Sequence, residues 1–412
     1  SQLDALLSQA SGPAQRTRLN ALRCEALLNL GQVDDALVVG AAALDEAMPG
    51  TRAQFEAEVL HGRALALSGR AADAVVALQA ACDSADRLPD QADPQRALQA
   101  RAALAYALYI DNRHAQALQA QAQAVAMATR MADVTEQAHL NANLGVIAAH
   151  AGETLLALGA AEHAHRAFAT MGLRSTHSHT NAVNLARLAA YRGRFDLSLQ
   201  ALQTVLNDDP AHNGPSVRAL ALAAHTSLRL TLVDEGPLAA AKQALQVLPL
   251  DDLLPQVQAM VLLVRLRLAV HQQGPTAALQ GRLLKLGETA AALRDVPLLY
   301  REWATWERDP RQALQQLLLL EQRCRVSGAH GAARSLLLAA LPLARQTVPA
   351  RAQRWARRLR RDLTKGLLAS VYVPEAWLTL ADALQAAGDE AAAGDCLQVA
   401  RRWIADAVMP DV

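Results

Sequence analysis

The chain of 412 residues is longer than one ordinary globular core supports, so its length predicts either several domains or one elongated repeat protein. Hydrophobic residues make up 52% of the sequence but aromatic residues only 3%, so the apolar content is mostly alanine and leucine, which favour helix. Lysine and arginine number 40 against 39 aspartate and glutamate, and the net charge of +1 excludes a chain-wide field that attracts nucleic acid or an anionic membrane.

Four cysteines are spread along the chain without a CxxC pair, which argues against a zinc ribbon and against a small disulfide scaffold. They are Cys24, Cys82, Cys324 and Cys396. The cysteine pattern fits a reducing compartment. No uninterrupted apolar run reaches membrane-spanning length, so we expect no membrane partner and a cytoplasmic location. The chain begins Ser-Gln-Leu without a signal-like segment, and we expect it to be a fragment of a longer protein.

Helical periodicity predicts ten consecutive pairs of helices. Proline and glycine in the joints, as in LPDQADP and NDDPAHNGP, end helices and do not separate domains. In chain order, the predicted pairs span residues 14–47, 51–87, 94–130, 134–171, 176–207, 215–248, 254–291, 296–327, 330–369 and 374–408.

Most pairs contain a short turn in which a glycine is followed five residues later by a small residue. These turns recur about every 40 residues, at Gly31, Gly69, Gly152, Gly193, Gly236 and Gly388. Asn112 takes the place between Gly69 and Gly152, because asparagine is the residue best able to replace glycine in a left-handed conformation. Gly274 is followed at the same distance by Leu279 and is a weaker match.

A second small residue recurs seven positions before the turn, at Cys24, Gly62, Ala105, Gly145, Ala186 and Ala381. Glycine inside a helix costs about 1 kcal/mol relative to alanine, so Gly145 needs a compensating contact. We interpret these positions as the places where the two helices of a pair approach most closely.

This pattern resembles the tetratricopeptide repeat, and residues 374–403 are the best single copy. There the residues in family register are Trp377, Leu380, Ala381, Leu384, Gly388, Ala393, Leu397 and Ala400. The resemblance covers roughly residues 14–290 and 374–403, with a degenerate register between them. A period near 40 is longer than the usual ~34 and resembles the C-terminal helical regions of maltose-activator-like bacterial regulators and related signal-transduction ATPases.

The resemblance implies an all-α fold, a right-handed α-solenoid of about ten antiparallel helix pairs whose concave face is lined by first helices. We expect three segments. Residues 1–290 are repeats with a concave groove, residues 291–373 are degenerate repeats that include a basic helix, and residues 374–412 are a C-terminal repeat and cap.

Catalytic signatures such as GxxxxGK[ST], GxSxG and HExxH are absent from the sequence, and we expect a protein that is not an enzyme and needs no cofactor. Four histidines do fall within 17 residues, namely His163, His165, His177 and His179. Neighbours two residues apart point to different sides of a helix, so we expect scattered polar histidines and no metal site.

A basic run at residues 351–366 is the strongest charge feature of the sequence. Its cations follow helical spacing at Arg354, Arg357, Arg358, Arg361 and Lys365. The opposite stripe is apolar, and its members are Ala352, Trp355, Ala356, Leu359 and Leu363. The helix either contacts phosphates or an acidic neighbour, or is a solvated face over a packed one, and the neutral charge of the whole chain favours the second reading.

Polar and aromatic residues gather at the positions that the tetratricopeptide family uses for its concave face. The predicted groove residues are Arg63, Tyr106, Tyr109, His139, Asn143, His150, Asn184, Arg187 and Tyr191, with Thr226 and Ser227 at the same face. Asn143 and Asn184 occupy equivalent positions in consecutive repeats and resemble the asparagine ladder that holds a peptide backbone in peptide-binding relatives. The alternative is that both asparagines bridge adjacent helices.

These observations predict a non-catalytic protein- or peptide-binding module, the sensor or scaffold part of a larger bacterial signalling or transcription-regulatory protein. Ligand in the groove would favour one curvature of the repeats and so bias an output domain. We expect a protein or peptide partner and no direct nucleic-acid binding by this region. The alternative is a small-molecule receptor for a metabolite or sugar, as the maltose-activator resemblance implies.

Overall fold

The computed structural model describes residues 10, 12–87, 93–232, 235–289, 309–367 and 371–409. These residues form nineteen α-helices, one 3-10 turn at Pro210–His212 and an isolated β-bridge between Arg194 and Val408. The all-α fold predicted from composition and periodicity is therefore confirmed. The chain divides into two compact units, Ser1–Ile147 (unit 1) and Ala148–Val412 (unit 2).

Unit 1 is a run of helix pairs. Its helices are α1 (Pro13–Asn29), α2 (Val33–Asp45), α3 (Arg52–Leu67), α4 (Ala71–Arg87), α5 (Pro94–Ile110), α6 (His114–Arg130) and most of α7 (Val134–Ala151). The small residue before the turn is where α3 and α4 meet: a Cβ on Gly62 would lie 2.6 Å from Cγ of the fully buried Leu78. The predicted close-packing role of this position is confirmed for Gly62.

Unit 2 continues the same pattern. Its helices after α7 are α8 (Thr154–Thr170), α9 (Thr176–Tyr191), α10 (Phe195–Leu206), α11 (Pro215–Leu232), α12 (Glu235–Gln246), α13 (Pro255–His271), α14 (Ala277–Thr289), α15 (Pro310–Val326), α16 (His330–Thr347), α17 (Pro349–Thr364), α18 (Val373–Gln385) and α19 (Glu390–Ala405). Leucine and alanine make up most of its core, as in the cluster that joins α16, α17, α18 and α19.

The predicted turns take the left-handed conformation. Positive φ angles occur at Gly31, Gly69, Gly152, Gly193 and Gly388, and Asn112 has a φ of 59° where asparagine was expected to replace glycine. Two assignments were wrong. Gly236 lies inside α12, and the left-handed residue at the end of α13 is Gln273, with a φ of 52°, instead of Gly274.

The segment expected to be degenerate contains one regular turn. Gly328 has a φ of 79° between α15 and α16, and Ala333, five residues later, is buried. The helix pair is therefore α15 with α16, and α17 packs between α16 and α18. The start of the predicted pair 296–327, up to residue 308, lies outside the described residues.

The C-terminal end of unit 2 returns to the turn between α9 and α10. The Val408 backbone N–H donates to the Gly193 carbonyl at 2.9 Å, and the Phe195 N–H donates to the Val408 carbonyl at 3.0 Å. The Arg192 guanidinium lies 4.5 Å from the centroid of the Trp403 ring. This contact joins parts of the chain about 210 residues apart, and no local pattern in the sequence predicts it.

None of the helices in the described residues combines the length and the apolar character that crossing a membrane requires.

Candidate functional site

A cavity of about 240 Å³ lies within unit 2, between the first helices of three consecutive pairs. These helices are α9, α11 and α13, and the start of α18 with the two residues before it closes another side. Polar side chains on the lining come from Asn184, Arg187, Tyr191, Ser198, Ser227, Thr231, Arg267, Tyr372 and Glu375. The apolar part of the lining includes Val183, Phe195, Leu220, Met260, Leu263, Val264 and Val371.

Equivalent positions of three repeats form the lining, at an interval of 40 residues. Arg187, Ser227 and Arg267 all line the cavity, one from each first helix. Asn184 belongs to a second row, in which the next members are Ala224 and Val264. The interval agrees with the left-handed turn residues Gly193 and Gln273, which are 80 residues apart.

Three of the nine predicted groove residues therefore meet at the cavity, and all three lie on α9. The Asn184 side-chain oxygen accepts a hydrogen bond from Arg187 Nη2 at 3.3 Å. This leaves the Asn184 amide NH₂ group as a donor and the rest of the guanidinium as further donors at the cavity wall. Ser227, also predicted, lines the cavity, whereas Thr226 is fully buried and its hydroxyl donates to the Leu222 carbonyl at 2.8 Å.

Other amides bridge adjacent helices. Asn181 Nδ2 donates to the Ala161 carbonyl of α8 at 3.0 Å, and Gln121 Nε2 of α6 donates to the Leu140 carbonyl of α7 at 2.7 Å. Both side chains are buried. The hydrogen bond of Asn184 stays within its own helix, and Asn143 is exposed. Asn181 and Gln121 therefore bridge adjacent helices, whereas a peptide-binding role of Asn143 and Asn184 stays a prediction.

The remaining predicted groove residues do not line this cavity. In unit 1, Tyr106 is 45% exposed, and the Tyr109 ring lies 5.5 Å from the ring of His114. The hydrogen bond from Arg96 is the main cause of the lowered pKa of Glu25, and the charge of the nearby Arg63 lowers that pKa further. His139 is half-buried in α7 of unit 1, and His150 is exposed in the part of α7 that belongs to unit 2.

Two aromatic rings are in contact on the side of the cavity that the start of α18 closes. The Tyr372 and Phe195 rings lie 5.5 Å apart, and both residues are on the lining. Burial raises the pKa of Tyr372, so its hydroxyl stays protonated and can donate a hydrogen bond at neutral pH. No sequence pattern indicated Tyr372 or the α13 residues of the lining. A strict 40-residue register would have found the α13 positions, because Arg267 lies 80 residues after Arg187.

The four histidines occupy different environments. His163 is exposed, burial lowers the pKa of His165, and the His177 ring lies 5.8 Å from the Phe168 ring. His179 is buried, with its Nε2 atom 3.0 Å from an oxygen of Asp208. In the part of the chain that the structure describes, no group of three or more histidine, cysteine, aspartate or glutamate side chains is placed to hold a metal ion.

The basic run forms α17, and its apolar stripe is buried as expected at Ala352, Ala356, Leu359 and Leu363. Two of its arginines pair with the C-terminal hairpin, which consists of α18 and α19. Arg357 pairs with Asp389 at 3.2 Å, and Arg360 pairs with Asp395 at 2.6 Å.

Comparison with known proteins identifies the fold of this chain but not its function. No protein-family model matches the sequence, and no curated protein matches it. Among solved structures, the chain is similar to a Rap protein in complex with competence and sporulation factor, with a TM-score of 0.58, 13% identity, and coverage of 86% of this chain and 99% of that chain. It is also similar to the apo form of the quorum sensor NprR from B. thuringiensis, with a TM-score of 0.52, 10% identity, and coverage of 93% and 97%. The chain therefore has the α-helical repeat fold of these two structures, and the closer resemblance to maltose-activator-like regulators stays a prediction.

Proposed function

We propose that this chain is a non-catalytic sensor module that binds a short peptide in the cavity of unit 2. The cavity with Asn184 and Arg187 on one wall and apolar side chains on another is the observation that carries the proposal. A side-chain amide can pair with the backbone of an extended peptide, and the apolar wall can take a peptide side chain.

The size of the cavity limits how much of a ligand it can enclose. Pockets for drug-sized ligands measure about 300–1,000 Å³, and this cavity is about 240 Å³. It therefore accommodates one or two side chains of a ligand whose remaining residues lie outside it. Arg187 and Arg267 supply positive charge for an acidic side chain or a terminal carboxylate.

The nature of the two similar structures supports a sensor role. One is a quorum sensor and the other a Rap protein that holds competence and sporulation factor, and both share the helical-repeat fold of this chain. By analogy, ligand binding in this chain would act in a bacterial signalling or transcription-regulatory protein in the cytoplasm, with no direct contact to nucleic acid.

A display library of random heptapeptides, selected against the full chain, tests the proposal. Selected peptides are synthesised with a fluorophore, and their Kd values are measured by anisotropy. We expect Asn184→Ala to weaken binding about 5-fold, because it removes one hydrogen bond of about 1 kcal/mol. Arg187→Ala should weaken it further when the peptide is acidic, because a charge-assisted bond is stronger.

Two control variants separate binding from folding. Asn181→Ala removes the buried bridge to α8 and should lower the Tm. Asn184→Ala should leave the Tm unchanged, since its hydrogen bond stays on the surface of one helix. Arg166→Ala, an exposed arginine away from the cavity, should alter neither value. Peptides that bind equally well to wild type and to Asn184→Ala and Arg187→Ala would refute the site, and stabilisation by metabolites without any peptide binding would favour the small-molecule alternative.

A further inference from the structure

A row of exposed cations runs along the outer side of α17, away from the cavity. The row consists of Arg351, Arg354, Arg358, Arg361 and Lys365, which we call the basic stripe, and all five are exposed. Their spacing of three and four residues, at 100° per residue, keeps them within an arc of about 80°. The buried stripe of the same helix faces the other way, against α16 and α18.

The basic stripe is distinct from the cations that stabilise the fold. Arg357 and Arg360 point to one flank and pair with Asp389 and Asp395 of the C-terminal hairpin. Among the described residues, the ion pair found for the stripe joins Arg358 to Asp362, at 4.0 Å. Neighbouring stripe residues are three or four positions apart and repel one another, so the stripe weakens the isolated helix.

We propose that the basic stripe is the docking surface for an acidic α-helix of a partner protein. Its five cations extend over about 21 Å, with a mean interval of about 5 Å, since a helix rises 1.5 Å per residue. Aspartates and glutamates spaced three and four residues apart on a second helix have the same interval. A parallel or antiparallel acidic helix can therefore place a carboxylate opposite each cation.

The charge around the stripe favours this partner over a nucleic acid. Domains that bind nucleic acid typically have a pI above about 9 and a broad basic patch. This chain has a pI of about 7.8 and a net charge of +1.

Anisotropy measurements with synthetic probes test the proposal on the full chain. The main probe is a capped, labelled 15-residue alanine-based helix with glutamate at positions 1, 4, 8, 11 and 15. A scrambled peptide of equal composition and a labelled duplex DNA of about 15 base pairs serve as the comparison probes. We expect the in-register peptide to bind at least 10-fold more tightly than the scrambled one, and its affinity to fall as salt is raised.

Charge-reversal variants locate the binding. Arg354→Glu combined with Arg361→Glu should weaken binding of the in-register peptide by at least 10-fold. The control, Arg166→Glu combined with Arg401→Glu, makes the same change in charge at two exposed arginines off the stripe and should bind like wild type. Arg354→Gln combined with Arg361→Gln provides a milder variant if the reversal lowers the Tm. Equal binding of both peptides, tighter binding of DNA, or no binding of the in-register peptide would each overturn the proposal.

Discussion

Replacing Gly62 by alanine should destabilise unit 1, although the same change usually stabilises a helix. Alanine in place of glycine within a helix gains about 0.5–1 kcal/mol. At Gly62, however, the new Cβ would lie 2.6 Å from Cγ and 2.7 Å from Cδ2 of Leu78, which is itself fully buried. Leu78 lies in a closed cluster and cannot move into solvent, and overpacking of this kind costs about 1–3 kcal/mol. We expect a net loss of about 0.5–2 kcal/mol.

Gly159→Ala is the matched control. Gly159 lies within α8, and a Cβ there would meet nothing within 4 Å. The control should therefore gain the full helix-propensity benefit of about 0.5–1 kcal/mol. Urea unfolding followed by circular dichroism at 222 nm gives both changes, read as shifts of the midpoint at constant slope. A Gly62→Ala protein that is as stable as the Gly159→Ala protein would refute the close-packing explanation of the recurrent small residues.

Three further predictions concern titratable groups. Arg96 donates two hydrogen bonds of 2.7 Å to the Glu25 carboxylate and lowers its pKa, so the pair adds stability above the ordinary pKa of 4.5 and loses it as the pH falls through the lower folded value. Glu25→Gln should accordingly be less stable than wild type at pH 7, with a difference that shrinks in unfolding curves measured at successively lower pH below 4.5, and a constant difference would contradict the pairing. Asp208→Asn should lower the Tm in a thermal melt, because the Asp208 side chain, 6% exposed, contacts His179, His212 and Arg174; an unchanged Tm would show that these contacts add nothing. Burial raises the pKa of the Cys24 and Cys82 thiols to about 11, so at pH 8 both should react with a thiol reagent far more slowly in the native protein than in guanidinium, and equal rates would argue against their burial.

The candidate site was partly predictable. The family's concave positions identified Asn184, Arg187 and Tyr191 on α9, because the turn that ends this helix has its glycine in the expected place at Gly193. On α11 and α13, the expected groove positions did not have the same offset from the turn as on α9. A left-handed residue need not be glycine, and Gln273 shows this directly with a φ of 52°. Positions assigned relative to Gly236 and Gly274 were therefore out of register with the lining, and Arg267 was not among the predicted groove residues.

Local patterns in the sequence determined the helices and their pairing. Alanine and leucine periodicity, proline at helix starts and small residues near the turns act within about 40 residues, so helix bounds such as Pro94–Ile110 and the close contact at Gly62 follow from the chain itself. Tertiary structure alone decided how the ends of unit 2 meet. The return of Val408 to Gly193 and the closure of the cavity by Tyr372 depend on the rotation between successive helix pairs, summed over many repeats. No single repeat encodes that sum, because a small change at each interface moves the end of the run by many ångströms.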